Sequence, residues 1–167
     1  MLQLRDLPTS DVLRKFAARY PEADVSAVAS FLTLLRVATE LSQALDGFLA
    51  RHGLLQGRWW VLVLLMREET LESSPSALAQ KAGVTRATMT GLLDGLERDG
   101  LVQRVFDTAD RRRLTVRLLP AGQAVLDAVM PDYYRRVRTL MAGLDEDQRA
   151  ALQAMLGIVQ SGTGAFA

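Results

Sequence analysis

The segment from Ser74 to Leu119 constrains the fold more than any other part of the chain, because helix starts and helix stops follow one another closely within it. Ser74 precedes Pro75. A serine hydroxyl accepts a backbone hydrogen bond at an N-cap, and proline suits the first helical position, where no amide donor is needed. This helix is expected to run to about Lys81, with Gly83 as the left-handed residue that ends it. Val84 can pack inward at the turn, and Thr85 can cap a second helix that Gly100 ends. Met89, Leu92, Leu93 and Leu96 lie on one stripe of that second helix, at a spacing of about 3.6 residues. The opposite face carries Ala87, Gly91, Asp94 and Arg98, with Thr90 beside it and Arg86 and Thr88 flanking it near the N-terminus. Surface helices usually place long charged side chains there. Small residues at 87 and 91 instead let another surface approach the backbone closely.

Two β-rich stretches follow, Leu101 to Phe106 and Arg113 to Leu118, joined by the polar loop Asp107 to Arg112. Five arginines (104, 111, 112, 113 and 117) fall in this hairpin, against two acids. A helix, a turn, a second helix and a basic two-stranded ribbon make up a winged helix-turn-helix. Such a unit offers one helix to the DNA major groove and a hairpin to the groove beside it. Guanidinium groups suit phosphate oxygens and narrow minor grooves. The expected DNA contacts are Ser76, Thr85, Arg86, Thr88 and Thr90 from the two helices, and Arg104, Asp110, Arg111, Arg112 and Arg113 from the wing. Nearly all basic residues here are arginine, so a coding bias can explain part of the cluster. A winged helix used only for protein contact is the alternative reading.

The same residues resemble the MarR family of transcriptional regulators. The resemblance rests on Leu78-Ala79, Val84-Thr85, Thr88 to Glu97, Gly100-Leu101-Val102, Arg104, Asp110-Arg111-Arg112, Val116-Arg117-Leu118 and Ala121-Gly122, and it covers about residues 28 to 160. The Asp-x-Arg pattern at Asp110 and Arg112 is its more specific part. It implies an acid that orients the wing and an arginine that enters the minor groove. It also implies an obligate homodimer of triangular shape and a repressor of a palindromic operator. Leu119-Pro120 stands where the family usually has Leu-Thr, which alters the cap of the following helix and leaves the wing reading intact.

The chain has 167 residues, enough for one domain or two small lobes sharing a core. Its formal net charge is +1, so affinity for DNA has to come from local clustering rather than a global field. There is no cysteine, which excludes disulfides, cysteine–zinc sites and a cysteine oxidation switch, and which suits a reducing cytoplasm, the expected location. The N-terminal MLQLRDLPTSD does not read as a secretory signal. The longest uninterrupted apolar run, Trp59 to Met66, is too short to span a bilayer, so no membrane partner is expected. A lone histidine, no glycine-rich phosphate loop and no metal-ligand spacing argue against an enzyme and call for no cofactor or metal. Glu68, Glu69 and Glu72 form an acidic cluster that reads as a solvated face.

The flanks predict a mainly α fold with a small β-wing (α+β): a DNA-binding lobe over 54–120, and a helical dimerisation lobe from 7–52 and 121–162. Leu13, Phe16, Ala17 and Tyr20 stripe a first helix that Pro21 ends. Asp24 to about Ala50 is a long helix with two apolar stripes, one through Phe31, Leu34, Leu41 and Phe48, the other through Leu32, Leu35 and Leu49. Ala121 to about Ala142 is helical, with Pro131 expected to kink it. Asp145 and Gln148 stand at capping-box spacing before a last helix using Leu152, Leu156 and Val159. So much apolar surface at both ends suits a two-fold dimer; a large monomer core is the alternative.

Members of the resembled family commonly bind a ligand where the dimerisation helices meet the DNA-binding lobe. The candidate walls here are the first long helix, the helix carrying Arg58, Trp59 and Trp60, and the region of Met130. Adjacent tryptophans on a helix point about 100° apart, so one belongs to the core and the other could line an aromatic pocket. Arg58 or His52 could then meet the carboxylate of a small aromatic or phenolic anion. Packing alone also accounts for the pair. His52 reads equally as a helix-end residue before Gly53. The urate-responsive subgroup has an aspartate where Trp60 aligns, which argues against that ligand.

Overall fold

Most helices in this chain begin where a side chain can accept the first orphan amides. The computed structural model describes residues 6–106 and 114–166. Thr9 caps α1 (Ser10–Arg19), and Asp24 caps α2 (Val25–Ala50) by accepting from the amides of Ser26 and Ala27. Ser74 caps α4 (Pro75–Ala82) and Thr85 caps α5 (Arg86–Arg98), as their sequence pattern predicts. Asp145 and Gln148 form the reciprocal capping box of α7 (Glu146–Ser161). Helix α3 (Gln56–Met66) and helix α6 (Pro120–Leu140) lack a side-chain cap. In α6 the proline at the first position removes one of the donors that would need one. That helix continues through Pro131 as a single element.

The wing has one strand more than expected. β2 (Val102–Phe106) and β3 (Leu114–Leu118) pair antiparallel, with Arg104 opposite Val116. β1 (Glu72–Ser73) adds to the far edge of β3, giving the order β1-β3-β2 with Glu72 opposite Arg117. The Glu72 carboxylate accepts from Arg117 Nε at 2.6 Å, and Glu68 pairs with Lys81. These acids of the cluster therefore tie β1 to β3 and the loop after α3 to α4, rather than forming a merely solvated face.

One apolar core holds α3, α4, α5, the sheet and the start of α6 together. Its largest fully buried members include Trp59, Leu62, Leu65, Leu78, Met89, Leu93, Leu96 and Leu126. Helix α3 is the hub, packing against α2, α4, α5, α6 and β3. The ends of the chain are different. Helix α2 buries only Phe48 and Leu49, and α7 buries nothing. Phe31, Leu35, Met155, Leu156, Ile158 and Val159 are all exposed. The C-terminal turn of 3₁₀ helix, Thr163–Phe166, lays Phe166 against Phe31 with ring centroids 5.7 Å apart. By length and composition α2 is also long and apolar enough to cross a membrane, although polar residues interrupt its apolar run. It also carries the i, i+4 ion pair of Arg36 and Glu40.

Candidate nucleic-acid interface

Gly83 sits at φ 65°, in the left-handed region, and turns the chain sharply between α4 and α5. This conformation costs glycine little and would strain a residue with a Cβ. The turn lays α5 against α4 through Met89 and Leu93, which are fully buried, and leaves the other face of α5 outward. Arg86, Ala87, Thr88, Thr90, Gly91 and Asp94 are exposed there. A Cβ added at Gly91 would meet nothing within 4 Å among the described residues, so the space beside it is open there.

The hydroxyls on this face are held in place. Thr85 Oγ1 accepts the Thr88 amide at 3.1 Å and lies 2.9 Å from Thr88 Oγ1. Thr90 Oγ1 donates to the Arg86 carbonyl at 2.9 Å. Ser76 is exposed on α4, its Oγ 3.1 Å from that of Ser74. Ser76, Ala77, Gln80, Val84 and Arg86 line a shallow hollow of about 430 Å³ between α4 and α5. Arg86 faces out beside it and pairs with no acid among the described residues. A cation, small side chains and oriented hydroxyls at the start of a helix suit a phosphate backbone and groove edges.

Arg104 is placed otherwise than the sequence suggests. Its guanidinium is 2.6 Å from Asp94 Oδ1 and 2.7 Å from Glu97 Oε2, and it also donates to the Thr90 carbonyl at 3.3 Å. Its side chain is only 19% exposed. Burial works against its charge, but the hydrogen bonds and attraction of Asp94 and Glu97 outweigh that and raise its pKa above the ordinary arginine value. Engaged in this way, Arg104 braces β2 against α5 instead of standing free for phosphate. Asp110, Arg111, Arg112 and Arg113 lie outside the described residues.

Among the described residues, those expected around a ligand share no single cavity. Trp59 is buried and Trp60 is 40% exposed, but their rings do not diverge: they pack against each other with centroids 4.5 Å apart. Arg58 turns away from both and binds Asp99 Oδ2 at 2.7 Å. His52 sets its ring edge-on to Phe48 at 5.0 Å, and Met130 packs against the core. An apolar cleft of about 370 Å³ opens instead between α2 and α6, lined by Leu41, Leu45, Phe48, Tyr133, Val137 and Leu140, with Arg51 and Arg136 at its edge. Both guanidinium groups lie over the Phe48 ring, at 5.7 and 5.1 Å. Asp132 already binds Arg136, at 2.9 Å. Trp59 reaches toward this region through Tyr133, ring to ring at 4.9 Å, and its indole N–H is buried without an acceptor among the described residues.

Comparison with known proteins agrees with this architecture. The family model described as the MarR family matches residues 52–113. The HTH-type transcriptional repressor YetL of Bacillus subtilis is 31% identical over 93% of this chain and 93% of its own length. The homoprotocatechuate degradative operon repressor of Escherichia coli is 28% identical over 64% of this chain and 70% of its own. A MarR-family transcriptional regulator of Streptomyces coelicolor, solved in complex with DNA, superposes with a TM-score of 0.78 at 25% identity, covering 84% of this chain and 89% of that one. The outward helix, the three-stranded wing and these similarities together place the chain in the MarR family, as a DNA-binding transcriptional regulator.

Proposed function

We propose that the protein is a homodimeric repressor that reads the two halves of a palindromic operator, one with each α5. The observation that carries this is the outer face of α5: Arg86 without an acidic partner among the described residues, fixed threonine hydroxyls, and open space over Gly91. In this reading Ser76, Thr85, Arg86, Thr88 and Thr90 meet the major groove and its phosphates. Arg111, Arg112 and Arg113 work from the wing, with Asp110 orienting it. Arg104 acts from behind, as a brace. Residues 54–120 form the reading lobe, and 7–52 with 121–162 form the dimerisation lobe. Support for the dimer comes from α7, which buries no residue in the single chain although Met155, Leu156, Ile158 and Val159 project from it. A cytoplasmic location fits a regulator of this kind.

Repression would be relieved by a small aromatic or phenolic anion. The cleft between α2 and α6 suits it better than the Trp60 surface. Leu41, Val137 and Leu140 offer an apolar wall, Tyr133 an aromatic ring, and Arg51 a cation with no acid beside it among the described residues. A relative that represses a degradative operon for an aromatic acid is consistent with that class. The test of the whole reading is selection of duplexes from a random pool by the full-length protein. An enriched inverted repeat, bound with strong salt dependence at two chains per duplex, is the expected result. No enrichment, with folded protein, would overturn it.

A further inference from the structure

Three residues in and around α5 look wrong for their local positions. Arg58 stands in the first turn of α3, where the helix dipole disfavours a cation. Asp99 is the C-cap of α5, where the dipole disfavours an anion. Gly95 lies inside α5, where glycine weakens a helix by about 1 kcal/mol relative to alanine. One contact accounts for all three. The Arg58 guanidinium crosses directly over Gly95 and ends on Asp99, Nη1 to Oδ2 at 2.7 Å. A Cβ at position 95 would overlap that guanidinium, standing 2.6 Å from its Cζ and 2.8 Å from its Nε. Each charge thus offsets the other's unfavourable helix end, and the glycine leaves the passage open.

We propose that Arg58 is a positioning residue for DNA reading, which fixes the recognition helix α5 on α3 by passing over Gly95 to Asp99. The proposal rests on α5 being the reading helix. Its apolar stripe of Met89, Leu93 and Leu96 sets how deep α5 sits but resists rotation weakly, because apolar contact is not directional. Two polar ties hold its angle. Arg104 grips Asp94 and Glu97 from the wing side, and Arg58 grips the C-terminal end from α3. Removing the Arg58 tie frees α5 to tilt about its buried stripe, which displaces Arg86, Thr88 and Thr90 at the other end. The residues that touch DNA stay intact, yet sequence discrimination falls.

Gly95→Ala is the sharpest test. It improves helix propensity, and the three atoms nearest the added Cβ all belong to the flexible end of Arg58, so α5 should remain folded while Arg58 is pushed off. Arg58→Ala and Asp99→Ala remove the tie from either side. The double variant R58E/D99R rebuilds it with each charge at the helix end its dipole favours. Binding of each full-length variant would be titrated against the duplex selected by the wild type and against a scrambled duplex. Each of the three single variants should lose roughly tenfold in the ratio of selected to scrambled affinity, as coupled contacts of this kind do. Scrambled-duplex affinity and its salt slope should be unchanged, and the double variant should recover most of the ratio. A purely structural role would lower thermal stability and both affinities together. An unchanged ratio in Gly95→Ala and Arg58→Ala, with native circular dichroism, would overturn the positioning role while leaving DNA reading itself in place. If the wild type selects no sequence at all, DNA reading fails, and this proposal fails with it.

Discussion

Arg104 and Asp94 meet at 2.6 Å across the gap between β2 and α5, and this contact ties the strand to the helix. Glu97 reinforces it twice, accepting from the Arg104 guanidinium at 2.7 Å and from the Arg104 amide at 2.8 Å. Arg104→Ala should therefore destabilise the fold by about 1–2 kcal/mol, toward the lower part of the range for hydrogen bonds to charged groups, because the freed acids can rehydrate. Operator affinity should fall with it. The salt slope should not, since no phosphate contact is lost. Thermal melts and titrations at several salt concentrations would check this, and a flattened slope would return Arg104 to the DNA contacts.

Arg112 should behave in the opposite way. In the wing reading its guanidinium enters a narrow minor groove, so Arg112→Ala should weaken operator binding by roughly 1–3 kcal/mol. The salt slope should fall by about one unit for each phosphate-equivalent contact removed. Melting temperature and dimer mass should stay at wild-type values. Unchanged affinity with a native spectrum would mean that the wing does not read DNA.

Ile158 is 72% exposed on a helix that buries no residue, so a partner surface is expected to cover it. Ile158→Asp together with Leu156→Asp should place two charges in that interface. Sedimentation at micromolar concentration should then move from twice the chain mass toward a single chain, or the protein should become insoluble. A wild-type protein that sediments as a stable monomer would remove the dimer reading.

Local signals were the legible ones. Ser74, Thr85 and Asp145 announce their caps because the partners lie within three residues. Gly83 announces its turn by needing no partner at all. The third strand was not legible, because Glu72 finds Arg117 only after 45 residues of intervening fold. The same distance problem governs the cations. Arg58 and Arg104 read as free charges in sequence, while Asp99, Asp94 and Glu97 come to them only once α3, α5 and β2 are packed. The helical offset of Trp59 and Trp60 predicts that one is buried and the other exposed, but not that their rings turn back to pack at 4.5 Å. Which of them is buried depends on where α6 puts Tyr133, and no local pattern carries that.

Asp24 links the long helix to pH. Its carboxylate is held below its ordinary pKa by the Ala27 amide first, then by the hydroxyl and amide of Ser26. A depressed folded-state pKa means that the cap's contribution is complete above the unfolded value of 3.8 and is lost as pH falls through the lower folded value. As pH falls below 3.8 and through the lower folded value, the N-terminus of α2 should fray progressively in the wild type. Asparagine caps without titrating. Asp24→Asn should therefore show a shallower fall of melting temperature between about pH 5 and pH 2.5. Identical pH profiles for the two proteins would show that the cap does not contribute.

The cleft between α2 and α6 has two cations at its edge, and they differ in their pairing. Arg51 lies over the Phe48 ring at 5.7 Å, with no described acid to neutralise it, whereas Arg136 is already bound by Asp132. An aromatic carboxylate entering the cleft would stack on apolar wall and present its charge to Arg51. It would also reach Tyr133, whose ring contacts Trp59 at 4.9 Å, so binding should change tryptophan fluorescence. To release DNA, the ligand must bind the free form more tightly than the DNA-bound form, by about 1.4 kcal/mol for each tenfold loss of operator affinity. Benzoate-like and phenolic compounds should therefore alter fluorescence and operator affinity at the same concentration. Arg51→Ala should shift both responses to higher concentration for carboxylates and leave neutral phenols little affected. Trp60→Phe should keep the operator response, because Trp60 lies outside the cleft wall. A broad panel that moves neither signal, or a response that Arg51→Ala leaves intact while Trp60→Phe abolishes it, would take the effector site away from this cleft.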